Sequence, residues 1–376
     1  MNKKLLYVIN HIDWFWSHRL PLAQAAQNAG WDVHLAVTDA DKDEQLKSYG
    51  FTGHDLPKSD QGFLPFTILK TILSIRKLIL KEKPDLVHAI TIKYAFITGL
   101  AARFCPNQNT VFTLAGLGYL FSGEGFKPKL LRAAIGPLLK FALKHKHAQI
   151  IFQNPDDMNL MIKRGFARPE QCHLILGSGV DTQSFKATAL PQTDRPIVLM
   201  PTRLVHDKGI AIFIEAAKHV HKENPNIRFQ IAGGITRNNP LAITENEMNA
   251  MIKDSPVEWL GKVSDMPALL EQTTLICYPS YYGEGIPKVL LEANACARPI
   301  ITTDHPGCRE AVKHGENGLL VAVKDAAQTA KAVLELMNKD SAELQKMANA
   351  ARALAEKQFD VDLINEATIK TYDSAL

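Results

Sequence analysis

This chain is short of the features that would place it outside the cell or through a membrane. Its five cysteines, Cys105, Cys172, Cys277, Cys296 and Cys308, are scattered, odd in number and never spaced C-x-x-C. That argues for reduced thiols in the cytoplasm, and against both a disulfide framework and a structural zinc site. No stretch reaches the roughly 18 uninterrupted apolar residues of a spanning helix. Two lysines and a short apolar run open the chain, without a signal-peptide core and small-residue cleavage site behind them. Internal repeats and low-complexity tracts are also missing, which excludes solenoid architectures.

What is there is an ordinary globular composition. The 376 residues are 46% hydrophobic, enough for two domains with a core each. Short β-type runs alternate with amphipathic segments. Leu5–Ile9, Val33–Val37, Leu86–Ala89, Val111–Leu114 and Ile150–Phe152 read as buried parallel strands. The rhythm restarts after the turn-rich stretch Lys186–Pro196. Ile197–Met200, Phe229–Ala232, Val257–Leu260, Leu275–Tyr278, Ile300–Thr302 and Leu319–Val321 make a second set. The expectation is α/β: two Rossmann-like domains, about 1–185 and 195–358, with parallel sheets facing across a cleft and ligands at the strand carboxyl ends.

The net charge of +4 is unevenly placed. Residues 1–190 carry 23 Lys+Arg and 15 Asp+Glu, the remainder 20 and 24. A basic first half suits nucleic acid, anionic lipid or a phosphorylated acceptor; uneven surface charge with no partner is the plain alternative. No recognition motif accompanies it, so no nucleic-acid partner is expected.

The most informative stretch is 284–292, Glu-Gly-Ile-Pro-Lys-Val-Leu-Leu-Glu. Proline fits the first turn of a helix, so a helix is expected from about Pro287 to Ala297, with Glu284 and Gly285 in the loop before it. Glu292 then lies roughly 7.5 Å along the axis. The helix start, with its N–H groups and positive dipole end, seats a phosphate. One carboxylate precedes that seat and one follows it. A sugar nucleotide has the same order: sugar hydroxyls, diphosphate, ribose hydroxyls. A bare glutamate pair at this spacing is more often solvated, but strand-like Leu275–Pro279 before it and Arg298–Thr303 after it favour a site.

Other candidates also follow strand ends. Arg203 and Lys208 come after Ile197–Met200, with Gly209 opening a helix, and Gly233-Gly234 ends another strand. His11–Pro21 crowds three aromatics, two histidines, Asp13 and Arg19 into one expected loop. Arg19 can pair with a phosphate there and Trp14 can stack on a sugar, or Trp14 and Trp16 simply pack on the next helix. Lys93 is read as a cleft-facing cation or a solvated one.

Together these residues resemble glycosyltransferase family 4, retaining enzymes of GT-B architecture, over nearly the whole chain. Glu284 and Glu292 match the family's Glu-x7-Glu signature, and Arg203 and Lys208 its Arg-x4-Lys spacing. The resemblance implies that the first domain binds acceptor, the second binds nucleotide sugar, and a tail helix near 360–376 returns to the first domain. It implies Glu284, Arg203 and Lys208 as catalytic residues, Glu284 on the sugar hydroxyls and the two cations on the diphosphate. Donor contacts fall to Gly233, Gly234, Gly261, Lys262, Val263, Gly285, Ile286, Pro287, Lys288, Val289 and Glu292, the last on ribose. Asp13, Trp14, Arg19 and Lys93 are assigned to the acceptor. The glycine pair that many members carry in the first loop is absent, and Leu114-Ala115 stands where many have a histidine. Gly116-Leu-Gly118, Arg19-Leu-Pro21 and Lys93 look instead like the bacterial subgroup that extends undecaprenyl-diphospho-sugars, in particular its α-1,3-N-acetylgalactosaminyltransferases.

The expected reaction moves a sugar, such as N-acetylgalactosamine, from a UDP-sugar to a polyprenyl-diphosphate-linked saccharide in surface-glycan or glycoprotein assembly. No metal or other cofactor is expected, because Asp39 and Asp41 come early and no Asp-x-Asp motif is placed at a strand end. A non-transferring enzyme on the same architecture, such as an epimerase or phosphorylase, and a silent nucleotide-sugar-binding protein are the alternatives. Lys129, Arg132, Gly136, Lys140 and Lys144 fall on one helical stripe, with Leu131, Leu138 and Ala142 on another side. Leu64–Lys83 repeats the mixture with Lys70, Lys77 and Lys81. These read as a dock for the anionic inner face of the cell membrane, or as ordinary surface helices with apolar faces inward.

Overall fold

The computed structural model describes residues 3–40, 43–57, 65–118, 126–236, 239 and 241–376, with the backbone alone for 65 and 126–134. Expectations that involve Asp41, Leu64, Tyr119 and the side chains of Lys129, Leu131 and Arg132 lie outside the described residues. The chain forms two units. The first is Met1–Ser178, Gly283–Gly285 and Asp362–Leu376; the second is Gly179–Tyr282 and Ile286–Val361.

The first unit is built on seven strands: β1 (Lys3–Val8), β2 (Trp31–Val37), β3 (Thr52–Asp55), β4 (Leu86–Ile90), β5 (Asn109–Leu114), β6 (Ala148–Phe152) and β7 (Cys172–Leu174). All pair in parallel, in the order β3-β2-β1-β4-β5-β6-β7. Successive side chains enter opposite cores. Leu6, Val8, Ala36, Val87 and Ala89 pack with Ile75, Ile79 and Tyr94 of the helices Pro65–Glu82 and Ile92–Arg103. Leu5, Tyr7, Val33 and Leu35 pack with Leu22, Ala26 and Tyr372 of the helices Leu20–Asn28 and Val361–Ala375. Because both faces are covered, the central strands read as continuous apolar runs. The carboxyl-terminal helix is fixed by a buried chain of hydrogen bonds. Tyr372 Oη lies 3.0 Å from Tyr7 Oη and 2.7 Å from His88 Nδ1, and His88 Nε2 lies 2.7 Å from Thr113 Oγ1.

The second unit holds β8 (Ile197–Pro201), β9 (Arg228–Ala232), β10 (Val257–Trp259), β11 (Leu275–Tyr278), β12 (Ile300–Thr303) and β13 (Gly318–Val321). They too pair in parallel, in the order β10-β9-β8-β11-β12-β13. Val198, Met200, Phe229 and Ile231 meet Phe213 and Val333 of the helices Ile210–Glu223 and Ala326–Met337 in its core. Residues 179–185, expected in the first domain, belong here. Thr182 Oγ1 donates to Asp360 Oδ2 at 2.6 Å, and Arg352 donates to the carbonyls of Thr182 and Phe185.

The helix after the Glu284 loop spans Lys288–Ala295, shorter than expected at both ends. Pro287 has a helical φ of −59° but an extended ψ of 124°, so it precedes the first turn instead of joining it. At the other end Ala297 turns left-handed (φ +58°) just before Arg298-Pro299, where the coming proline disfavours helix. Among the described residues, no helix is long and apolar enough to cross a membrane.

Candidate active site

Ligands of doubly wound sheets bind outside the strand carboxyl ends, where the strand order reverses. In the second unit that point lies between β8 and β11. After β8 the chain turns tightly: the Lys208 N–H donates to the Val205 carbonyl at 3.0 Å, and Gly209 takes a left-handed φ of +84°. A Cβ on Gly209 would also collide with the Pro279 carbonyl, so only glycine lets this turn close on the segment after β11. Three bonds lace the segments together: Tyr281 N–H to the Asp207 carbonyl (3.0 Å), Ser280 Oγ to the same carbonyl (3.4 Å) and Tyr281 Oη to the His206 carbonyl (3.3 Å).

The result is a positioned cation. Lys208 is only 3% exposed, with Nζ 5.4 Å from the ring centroid of Tyr278 and 4.8 Å from that of Tyr282. The rings' negative faces hold an ammonium in place. Arg203, half-buried, leaves the same strand end. The neighbouring strand ends converge beside it: the Gly233 N–H donates to the Gly261 carbonyl, and the Trp259 indole N–H donates to the Gly233 carbonyl, both at 2.8 Å. Gly234 lies against Lys262, whose side chain is exposed, and Val263 is half-buried.

Beyond β11, Gly285, Ile286 and Pro287 are buried, and no side chain caps the amino end of the helix Lys288–Ala295. Lys288 and Val289 form its half-buried first turn. Lys288 Nζ sits 3.6 Å from Glu292 Oε1, one turn on. Glu292 is 9% exposed; burial raises its carboxyl above the ordinary range, and the nearby Lys288 ammonium offsets part of that. A carboxylate so placed has oxygens to offer to hydroxyls.

Glu284 groups with the first unit, where its loop rests on the turn after β5. Gly116 has a φ of +91°, and a Cβ there would collide with the Glu284 backbone. A Cβ on Gly285 would collide with the Gln153 side chain, just past β6. The turn is braced from behind by Asp157, which accepts from the Leu117 N–H and from Asn154 Nδ2 (2.9 Å); burial pushes its carboxyl up to about 6.

In the first unit the strand order reverses between β1 and β4, and the acceptor candidates follow those two strands. The expected loop over His11–Pro21 is instead two helices, Ile12–His18 and Leu20–Asn28, hinged at Arg19. Pro21 lies in the first turn of the second, which starts the helix there. Asp13 is exposed, and Trp14 stacks on His18 with ring centroids 5.2 Å apart. Trp16 is structural, its indole N–H donating to Asp43 Oδ2 at 3.1 Å. Arg19 is 7% exposed, and its charge faces the phenols of Tyr7 and Tyr372. Its field adds to burial in keeping His88 neutral, well below the usual imidazole range. Lys93 is half-buried, and burial lowers its ammonium. Thr91, two residues earlier, holds a φ of +79°, strain of a kind that collects at functional sites.

Residues 181–354 match the family described as Glycosyl transferases group 1, and residues 4–154 match Glycosyl transferase 4-like. Between them the two matches reach into both units, and the chain is a glycosyltransferase with a group 1 and a 4-like portion. This glycosyltransferase is 27% identical to the N,N'-diacetylbacillosaminyl-diphospho-undecaprenol alpha-1,3-N-acetylgalactosaminyltransferase of Campylobacter jejuni, over 95% of each chain. It is 29% identical to the UDP-Gal:alpha-D-GlcNAc-diphosphoundecaprenol alpha-1,3-galactosyltransferase of Escherichia coli, over 68% of this chain and 67% of that one. Among solved structures, sucrose-phosphate synthase from Thermosynechococcus elongatus matches with a TM-score of 0.81 at 20% identity, covering 99% of this chain and 98% of that one. Anabaena HepE in complex with UDP matches with a TM-score of 0.78 at 20% identity, covering 99% and 100%. The fold of the glycosyltransferase is therefore GT-B, as the family resemblance implied, on the α/β pattern that the strand rhythm led us to expect. Sequence reasoning passed over Tyr278, Tyr282, Gln153 and Asp157. The one local signal for them was the aromatic pair Tyr281-Tyr282 directly before Gly283-Glu284.

Proposed function

We propose that this glycosyltransferase moves an N-acetylhexosamine, such as N-acetylgalactosamine, from a UDP-sugar to a polyprenyl-diphosphate-linked saccharide with retention of configuration. The observation that carries the reading is that Lys208 and Arg203 follow β8 while the Lys288–Ala295 helix follows β11, the two strands that flank the reversal of order in the second unit. Negative charge develops on a diphosphate as the glycosidic bond breaks, and preorganised positive groups stabilise it. Arg203 acts as a fork, Lys208 as a fixed point charge and the helix start as a set of N–H donors. Glu292 accepts from ribose hydroxyls and Glu284 from hydroxyls of the departing sugar. The leaving phosphate takes the acceptor's proton, so no dedicated base is assigned and no metal is required.

The acceptor class rests on the printed activities of the Campylobacter and Escherichia relatives, both of which act on undecaprenyl-linked diphospho-sugars, and UDP on the latter's donor. Asp13, Trp14, Arg19 and Lys93 are the acceptor residues. A lipid-linked acceptor calls for an enzyme at the membrane surface, and the helix Pro65–Glu82 supports that. Phe66 (80% exposed), Leu69 (53%), Leu73 (55%) and Leu80 (44%) form an outward apolar stripe at helical spacing, flanked by exposed Lys70, Arg76, Lys77 and Lys81. Ordinary surface helices turn such a stripe inward. In the helix Phe126–Leu143, Leu138 and Phe141 are exposed while Ala142 is buried, so the expected common apolar side is divided. The test is a mass-spectrometric screen of UDP- and GDP-sugars against polyprenyl-diphospho-saccharides, with and without EDTA. A UDP-sugar product formed in EDTA supports the reading; transfer only to soluble sugars, or only with added metal, contradicts it.

A further inference from the structure

We propose that His34, His54 and Glu82 form a site for a late first-row divalent cation such as Zn²⁺, separate from the sugar-transfer site. β2 and β3 pair with Thr52 opposite His34 and Ala36 opposite His54, so the two imidazoles are diagonal neighbours on one sheet face. Their rings stack with centroids 5.0 Å apart, and His34 Nδ1 lies 2.8 Å from His54 Nε2. On the other side of the ring, His34 Nε2 lies 3.1 Å from Asp32 Oδ2. That carboxylate keeps the proton on Nε2, so Nδ1 turns its lone pair toward His54. Glu82 ends the helix Pro65–Glu82 and completes the group: its carboxylate oxygen and the two ring nitrogens all lie within 4.8 Å of one another. His34 is buried, and the other two are partly buried.

Two imidazoles and a carboxylate are a zinc donor set with one position left for water. Magnesium and calcium prefer all-oxygen surroundings. Asp32 stands where a carboxylate orients a metal-bound imidazole. An arriving ion must compete with Lys4 and Lys81, which lie 3.3 and 3.1 Å from Glu82. The Lys81 side chain, 73% exposed, can turn into water. That competition makes the site weaker than one without lysines. Lys4 and Asp32 face each other near the amino-terminal ends of β1 and β2, away from the strand ends that carry Asp13 and Lys93. The ion's work there is to staple β3, a four-residue edge strand, to β2 and to the helix end.

The test titrates chelator-stripped, full-length protein with ZnCl₂ by calorimetry and records its Co²⁺ absorption spectrum. His54→Gln and Glu82→Gln are compared after circular dichroism confirms their fold. The proposal expects one Zn²⁺ per wild-type chain, affinity roughly tenfold or more weaker in each variant, and unchanged sugar transfer. The Co²⁺ spectrum should lack a thiolate band, which separates this site from the five cysteines. No zinc binding by the wild type would leave the pair a hydrogen bond and overturn the proposal. Equal binding by the folded variants, or a thiolate band, would overturn it too. Should His54→Gln not fold, Glu82→Gln decides alone.

Discussion

The Lys208 ammonium lies 4.8 Å from the centroid of the Tyr282 ring, although the two residues come from separate loops. Desolvated contacts of this kind are worth up to about 2 kcal/mol. Tyr282→Leu should therefore lower kcat by roughly tenfold with a smaller effect on donor KM, while Tyr282→Phe keeps the ring and stays near wild type. Steady-state kinetics on the three proteins checks this. Equal losses for Leu and Phe would assign the effect to the phenol instead.

Gly116→Ala tests the seat of Glu284. The substitution places a side chain at φ +91° and against the Glu284 backbone. Strain of this kind costs about 1–3 kcal/mol. We expect a lower melting midpoint together with slower transfer, measured by calorimetry and a product assay. A variant with wild-type stability and rate would mean that the loop does not depend on this turn.

Legibility in the sequence followed locality. The central strands were readable because burial on both faces makes them apolar runs; β3, with Thr52-Gly-His-Asp55, and three-residue β7 were not, being short edges with polar positions. Glu284, Pro287 and Glu292 could be read as a unit because they share one loop and helix. The placement of Tyr282 on Lys208, and of Gly116 under Glu284, depends on segments distant in the chain, which spacing cannot reveal. The stretch His11–Pro21 was misread for a different reason. Crowded polar and aromatic residues suggested a loop, but two short helices, Ile12–His18 and Leu20–Asn28, form there.

Glu292 gives a pH signature. Its folded carboxyl titrates above the ordinary value of 4.5, so the stability it contributes is full below that value and is lost as pH rises through the folded one. Glu292→Gln should gain stability relative to wild type between acid and neutral pH, while binding UDP more weakly. Thermal melts across that range, beside UDP calorimetry at neutral pH, check both. A variant whose relative stability falls as pH rises would reverse the assigned shift.

Membrane docking is read by flotation with anionic and neutral vesicles. Wild type should float with anionic vesicles at low salt and less at high salt, since screening weakens surface attraction. Replacing Phe66, Leu69 and Leu73 by serine should reduce flotation while leaving the fold intact, because all three are exposed. Unchanged flotation by this variant would remove the apolar stripe from the docking surface.

The most direct test of the site separates its two glutamates. Donor affinity and kcat are measured for wild type, Glu284→Ala and Glu292→Ala, with UDP and UDP-sugar binding followed by calorimetry. Glu292→Ala should mainly weaken UDP, because its partner is the ribose. Glu284→Ala should bind UDP nearly as wild type does and lose its rate, because its partner is the reacting sugar. Wild-type affinity and turnover in both variants, or the two losses exchanged, would contradict the assignment on which the proposed reaction rests.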